Sequence, residues 1–216
     1  MLEKTIRVLA LTAAWMPAAF ESVLSFNGTN NNLGGNAMGD FLQADDFTLL
    51  ATSNITSIVF YSLEGTGAYL GSVDWAIYTN VGNQPGALVS GGSGSATPTR
   101  VSLGPVAALG LDAFQNTMSV SVTGLVAATY WLVLHNGPVA TTAFSDFYWA
   151  WTDLNGGNTG STRGLEQSLF PASITWDDNS SEHAFSILGD TDVPEPGTMI
   201  LLSAGLAALW LRRKCV

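Results

Sequence analysis

The segment YWLVLH, residues 130–135, decides the fold class, because its side chains alternate between the two faces of an extended chain. Tyr130, Leu132 and Leu134 would share one face, and the residues that alternate with them would share the other. The turn-forming sequence HNGP, residues 135–138, begins at the last residue of this segment. The segment therefore predicts a β-strand that ends in a turn.

The same period of two recurs along the chain, and turn sequences such as TNVGNQPG and DLNGGNTG separate its occurrences. Almost no helical periodicity is present, so the fold class is predicted as an all-β, antiparallel β-sandwich that is jelly-roll-like. SGGSGSATPT (90–99) is expected to be a flexible loop, and no linker divides the body, which predicts one domain. The other predicted strands are DDFTLL (45–50), ITSIVFYS (55–62), VDWAIY (73–78), ALVSG (87–91), TRVSL (99–103), MSVSVT (118–123), FYWAW (147–151) and AFSIL (184–188).

Composition limits the classes of partner. Hydrophobic residues make up 47% of the 216 residues, which is enough apolar surface for a folded core. Between residues 23 and 193 the only basic residues are Arg100 and Arg163, whereas 14 of the 17 acidic residues lie there. Because such a surface repels phosphate backbones, we expect no nucleic-acid partner. The only cysteine is Cys215, so no intrachain disulfide can form.

The N-terminus has the pattern of a secretory signal peptide. Lys4 and Arg7 precede an apolar stretch at residues 8–20, and small residues follow near Ala18 to Ser22. The sequence therefore predicts a signal peptide over residues 1–22. A buried N-terminal helix or strand is the alternative.

The C-terminus, VPEPGTMILLSAGLAALWLRRKCV (193–216), combines three features. Pro194, Glu195 and Pro196 form an extended segment that cannot join a β-ladder. An uncharged stretch, residues 199–211, would span about 20 Å as a helix, which is short for a bilayer. The following basic residues should stop transfer and stay in the cytoplasm, which places the body outside it. These basic residues are Arg212, Arg213 and Lys214.

This order of features resembles the PEP-CTERM sorting signal of Gram-negative bacteria. The resemblance implies that Pro194, Glu195 and Pro196 are the motif that exosortase, a membrane-embedded cysteine transpeptidase-like enzyme, processes. Residues 199–211 would then be a transient transmembrane helix. Cys215, which follows the basic residues, would be lipidated or idle. The implied route is export, transient anchoring in the inner membrane, and passage to the cell surface or extracellular matrix.

The predicted domains are thus a signal peptide (1–22), a β-sandwich ectodomain (23–189) and a sorting signal (190–216). The body is similar to ectodomains commonly found with this anchor, in the stretches ADDFTL, WAIYTNVGNQPGAL, TYWLVLHNGP and DFYWAW. The biochemical activity of such bodies is not settled, so this resemblance adds no reaction.

No catalytic or cofactor motif is present in the sequence. GGSGS (91–95) does not fit the nucleophile elbow, and neither a Walker A motif nor GxGxxG occurs. His135 and His183 lack a metal-ligand partner at short sequence spacing, and His135 is expected to pack at a strand end. We therefore expect no enzyme activity, no cofactor and no metal.

Two acidic pairs leave an alternative open. Asp45–Asp46 and Asp177–Asp178 could hold a structural calcium ion, completed by Asp40 or Asp190, or could be a solvated acidic face. A carboxylate pair of a secreted glycoside hydrolase is a weaker alternative, because nothing selects two of the acids.

Aromatic residues suggest a class of ligand. Trp149, Trp151 and Trp176, with Tyr148, could stack on sugar rings of exopolysaccharide, or could pack in the core. The sequence thus predicts an exported surface or matrix protein whose body is structural or adhesive. A carbohydrate-binding module is the alternative.

Overall fold

The computed structural model of the protein describes residues 21–140, 145–153, 164–169 and 175–191, without the side chains of residues 92–94. The predicted sorting motif, transmembrane helix and basic stop, and residues 1–20 of the predicted signal peptide, lie outside these residues. Within them, no helix has the length and apolarity of a membrane span. The strands are β1 (Ser22–Phe26), β2 (Asn30–Ala37), β3 (Phe41–Thr48), β4 (Ser53–Glu64), β5 (Val73–Asn80), β6 (Pro85–Ala96), β7 (Thr99–Val106), β8 (Leu111–Leu125), β9 (Thr129–Asn136), β10 (Phe147–Thr152), β11 (Leu165–Ser168), β12 (Asp177–Asp178) and β13 (Phe185–Thr191).

The strands form two antiparallel sheets. In the first sheet, β4 is central: one of its edges pairs with β8, and the other pairs first with β13 and then with β10. Each of these three strands has a further neighbour. β7 pairs with β8, β1 with β13 and β2 with β10. The second sheet has the order β12-β11-β3-β9-β5-β6. The eight strands β1-β13-β4-β8 and β3-β9-β5-β6 follow the strand order of a jelly roll.

The core lies between the sheets and is built by alternate residues of the facing strands. Leu132 and Leu134 of β9 and Phe47 of β3 are fully buried against Ile58 and Phe60 of β4. Such alternation is what a strand with one face on a core requires. The shared face predicted for Tyr130, Leu132 and Leu134 of β9 is therefore confirmed as the face that packs in the core.

The outer faces of both sheets also carry apolar residues. On the second sheet, Trp131 and Val133 of β9 pack with Ala44 and Leu165. On the first sheet, Leu63, Ala113 and Ala150 form a smaller cluster. The predicted period of two is therefore present, but neither outer face is simply polar.

Arg100 fastens the edge strand β7 to the sheet. Its guanidinium group lies 4.1 Å from the ring centre of Tyr69 and 4.2 Å from that of Phe114, and it forms an ion pair with Glu64. Its Nε donates a hydrogen bond to Asn116, 3.1 Å away. A planar cation suits this combination of ring stacking and carboxylate binding.

Two sequence-based boundaries are corrected by the structure. The loop expected at residues 90–99 is wrong for residues 90–96, which belong to β6 and pair with β5, as in Asp74 with Ser95. The sandwich also extends beyond the predicted limits 23–189, because Ser22 pairs with Gly189 and Thr191 pairs with Ser53. Glycine and serine suggest a loop, yet their backbones form a ladder as well as others do.

Candidate functional site

The chain enters the sandwich at the start of β1 and leaves it at the end of β13, and these two points lie at the same end of the sandwich. Ser22, at the start of β1, lies opposite Gly189 and donates a hydrogen bond from its Oγ to the Gly189 carbonyl oxygen, at 3.0 Å. Thr191, at the end of β13, lies opposite Ser53, where β4 begins. We call the end of the sandwich that contains Ser22, Ser53 and Thr191 the exit end.

A pair of buried polar side chains lies inside the sandwich. Its members are Asp45 of β3 and His183, which precedes β13. Asp45 Oδ2 accepts a hydrogen bond from the backbone N–H of His183, at 2.7 Å, and shares a second hydrogen bond with its ring Nδ1, at 3.0 Å. Both side chains are fully buried, and the His183 ring stacks on Trp149 with ring centres 4.5 Å apart. His183 therefore has a partner after all, although the two residues are 138 positions apart.

Burial controls the charge of this pair. Desolvation lowers the pKa of His183 to about 3, so its imidazole is neutral near pH 7. Desolvation also raises the pKa of Asp45 well above its ordinary value, with a further contribution from the charge of Glu182. The contact between the two is consequently a hydrogen bond from a neutral ring, rather than a full ion pair.

Asp46 is buried as well, next to Asp45 in the sequence. Burial, followed by the charges of Asp45 and Glu182, raises the pKa of Asp46 to about 7. The prediction of a solvated acidic face is therefore wrong for this pair, whereas Asp177 and Asp178 of β12 are exposed. Among the residues that the structure describes, no three His, Cys, Asp or Glu side chains come together in a way that could hold a metal ion.

The pair has the first two members of a catalytic triad but not its geometry. A histidine that activates a nucleophile needs its second ring nitrogen within hydrogen-bond reach of that nucleophile. His183 Nε2 is buried and has no hydrogen-bond partner in the described part of the chain. The arrangement therefore joins β3 to the chain that leads into β13, and holds Trp149 in place. His135, the other histidine, is buried at the end of β9, where its ring nitrogens face the carbonyl oxygens of Gly137 and Gly39.

The three tryptophans predicted to stack on sugars are not one platform. Trp149 is fully buried and donates a hydrogen bond to the Ala184 carbonyl oxygen, at 3.1 Å, so no sugar ring can reach it. Core packing, the second of the two roles left open for Trp149, is therefore the one that the structure shows, because the inward face of β10 faces the core. Trp151 is half-buried and donates to Asn36, at 2.6 Å, while Trp176 packs on the outer cluster of the second sheet.

An open cleft lies on the first sheet, at a place that the sequence did not single out. Its cavity volume is about 500 Å³, in the range of sites that take small ligands. Tyr61 of β4 lines it together with Asn30, Asn32 and the β7–β8 hairpin. The cleft could not be found from sequence spacing. Asn30 and Pro105, which both line it, are far apart in the sequence and are brought together only when the sheet forms.

The tail beyond β13 matches a family model. The model of the PEP-CTERM protein-sorting motif matches residues 192–214. The chain carries a PEP-CTERM motif. This motif implies exosortase as the processing partner, and it implies export with membrane-associated sorting before release to the cell surface. No curated protein and no solved structure is similar enough to the chain to count as a match.

The PEP-CTERM motif begins where the sandwich ends. The match starts at residue 192, directly after Thr191, the last residue of β13. Only Asp192 and Val193 separate the ladder from Pro194, and three extended residues cover at most about 11 Å. The predicted motif (Pro194, Glu195 and Pro196) and the predicted stop (Arg212, Arg213 and Lys214) all lie within the matched residues.

Proposed function

We propose that the protein is an exosortase substrate that is cut at Pro194, Glu195 and Pro196, and that its β-sandwich then serves as a structural or adhesive component of the cell surface or matrix. Residues 199–211 act as the transient anchor, and Arg212 to Lys214 act as the stop. The observation that carries this proposal is the PEP-CTERM match directly after the last strand.

The strand arrangement supports processing at a membrane. Because β1 and β13 are antiparallel neighbours, the segments before Ser22 and after Thr191 leave from the same end. A signal peptide and a C-terminal anchor can therefore both be attached to one membrane without crossing the domain. The basic residues on the far side of the anchor favour the same topology.

The charge distribution supports an adhesive body. From Trp75 to Leu111, Arg100 is the only charged residue. This stretch includes β6 and β7, and within the described residues each of them pairs with one strand only. Leu88 and Leu103 are about half exposed there. Exposed edge strands without repelling charges pair readily with other chains.

The test of sorting is the intact mass of the protein recovered from the surface or medium of its native host. We expect the wild-type chain to lack residues 197–216, and Glu195→Ala to accumulate uncut in the membrane. Asp177→Ala, an exposed change in β12, is the control and should be cut normally. Recovery of surface protein that retains Arg212 to Val216 would refute the proposal.

The cleft favours a second candidate function, the binding of exopolysaccharide. Tyr61 supplies an aromatic ring, and Asn30 and Asn32 supply amide groups, which together are the groups that bind sugars in shallow sites. We expect Tyr61→Ala to lose binding to the host's insoluble exopolysaccharide in a pull-down assay. Trp176→Ala should keep it, and equal binding by both variants would direct the search away from the cleft. Glycoside hydrolysis stays a prediction that no observation favours.

A further inference from the structure

Three loops at the exit end expose aliphatic side chains. Leu50, in the β3–β4 loop, is 88% exposed. Val81, in the β5–β6 turn, is 65% exposed, and Val126, in the β8–β9 loop, is 60% exposed. Loop tips in water are usually polar, so an aliphatic residue at each of three tips indicates contact with something apolar.

The three loops surround the point where the chain leaves the domain. Leu49 N–H donates to the Ala128 carbonyl oxygen, at 2.9 Å, which joins the first and third loops. Ser53 pairs with Leu125 on one side and with Thr191 on the other. Thr79 pairs with Tyr130, so the turn at 81–84 lies at the same end.

The exit end is also poor in charge. The three loops (49–52, 81–84 and 126–128) contain no charged residue. Two acids adjoin the exit point in the sequence, Glu21 before β1 and Asp190 in β13. Because these two would be repelled by anionic headgroups, the surface fits an apolar contact with lipid better than an electrostatic one.

The length of the tail limits where this end can lie. Seven residues, 192–198, connect Thr191 to the uncharged stretch at 199–211. Fully extended, seven residues reach at most about 25 Å. While residues 199–211 are in a bilayer, Thr191 therefore lies within about 25 Å of that bilayer, where even weak apolar contacts are populated because the effective concentration is high.

We propose that the Leu50, Val81 and Val126 loops contact the lipid surface of the membrane while the tail is uncut. This inference rests on the proposed function, because it requires residues 199–211 to be the anchor. The loops hold the domain against the bilayer with the PEP motif at the level of the headgroups. Release of the domain then requires only the cut, because three aliphatic residues without an anchor bind lipid weakly.

The test uses the full chain with Cys215→Ser, reconstituted in vesicles of phosphatidylethanolamine and phosphatidylglycerol that contain a nitroxide-labelled lipid. An environment-sensitive fluorophore is attached in turn at Leu50→Cys, at Val126→Cys and, as the matched control, at Leu70→Cys. Leu70 is 40% exposed in the β4–β5 loop, at the opposite end of the sandwich. A probe at Ser203→Cys reports insertion of the tail in the same vesicles.

We expect at least twofold quenching by the labelled lipid at positions 50, 126 and 203, and none at position 70. Quenching at 203 but not at 50 or 126 would overturn the loop contact and leave the proposed sorting intact. Quenching at 50 and 126 without 203 would refute the anchor, and with it the tethered contact proposed here. Equal quenching at 50 and 70 would overturn the inference, since both ends of the sandwich would then contact the lipid equally.

Discussion

Asp45 and His183 show how one buried carboxylate organises the residues around it. The single oxygen Oδ2 receives both N–H groups of His183, and the stacked Trp149 ring covers the pair. A buried donor that loses its acceptor costs about 1–3 kcal/mol. The pair therefore affects stability mainly because removing Asp45 would leave buried groups of His183 without a hydrogen-bond partner.

Replacing Asp45 should reveal this cost. Asp45→Ala leaves two buried donors without an acceptor, so we expect a loss of about 3 kcal/mol in the free energy of unfolding. Asp45→Asn keeps an oxygen acceptor and should lose at least about 1 kcal/mol less. Urea unfolding at pH 7 measures both variants. Equal losses would mean that the hydrogen bonds of Oδ2 are not what matters at this position.

Asp46 predicts a dependence on pH with a definite sign. Its pKa is about 7 in the folded protein, against an ordinary value of 3.8 for an unfolded chain, so the folded state binds the extra proton between these values. The stability that this carboxyl contributes is complete below about pH 3.8 and is lost as the pH rises through 7. His183 acts in the opposite direction: its pKa falls from 6.5 to about 3, so its contribution is complete above 6.5 and is lost toward pH 3.

The contribution of Asp46 can be isolated by a difference measurement. In the Asp46→Asn variant, the side chain at position 46 cannot titrate. The free energy of unfolding of the variant, relative to that of the wild type, should therefore rise between pH 4 and pH 8. Thermal unfolding of both proteins at pH 4, 6 and 8 measures this difference. Asp177→Asn, at an exposed position, should show a smaller change with pH. A constant difference for Asp46→Asn would contradict the raised pKa.

At the scale of an element, β13 is the strand that directly precedes the sorting motif. It is paired with β1 on one side and with β4 on the other, and its ladder to β4 shifts register between Leu188 and Gly189. At this irregularity, a Cβ on Gly189 would clash with the backbone carbonyl oxygen of Asn54. Only glycine allows the two backbones to approach so closely.

Gly189→Ala should therefore move β13 away from β4. We expect a loss of about 3 kcal/mol, at the upper end for overpacking, because the clash is with backbone that cannot rotate away. Gly124→Ala is the control: its φ is +69° but nothing lies near the added methyl group, so it should lose only about 1 kcal/mol. Chemical denaturation compares the two, and a smaller loss at Gly189 would show that the strands can separate slightly at no cost.

Strands whose side chains alternate with a regular period of two could be predicted from the sequence. Hydrogen-bonded residues that are far apart in the sequence could not. Phe47 and Leu49 mark the inward face of β3, and the same alternation puts Asp45 on that face, so its burial could have been inferred. Its partner His183 could not, because no pattern links positions so distant. The first part of β6 was predicted as the strand at 87–91, whereas residues 92–96 were missed because a run of glycine and serine carries no hydrophobic pattern.

At the scale of the whole molecule, the fold ends before the sorting tail begins. The last ladder residue is Thr191, and the PEP-CTERM match begins at the next position. Cutting the tail should therefore leave the sandwich unchanged. We therefore expect the domain to fold independently of the tail.

Truncation tests this independence. A chain of residues 21–193 should keep the melting temperature of a chain of residues 21–216 within about 2 °C, the shift expected for changes near 0.5 kcal/mol. A chain of residues 21–187 lacks the pairs of Leu188 to Thr191 with β4 and should melt much lower. Differential scanning calorimetry compares the three. A large loss for 21–193 would mean that the tail packs on the domain.

The position of β13 also determines how the mature protein bears a mechanical load. If the new C-terminus becomes its point of attachment, tension enters the domain at Thr191 and runs along β13. The hydrogen bonds from β13 to β1 and β4 are perpendicular to that direction, so the pull shears all of them together rather than opening them one at a time. Because β13 is paired on both sides, we expect it to resist such a pull through both ladders at once, three residues before Pro194.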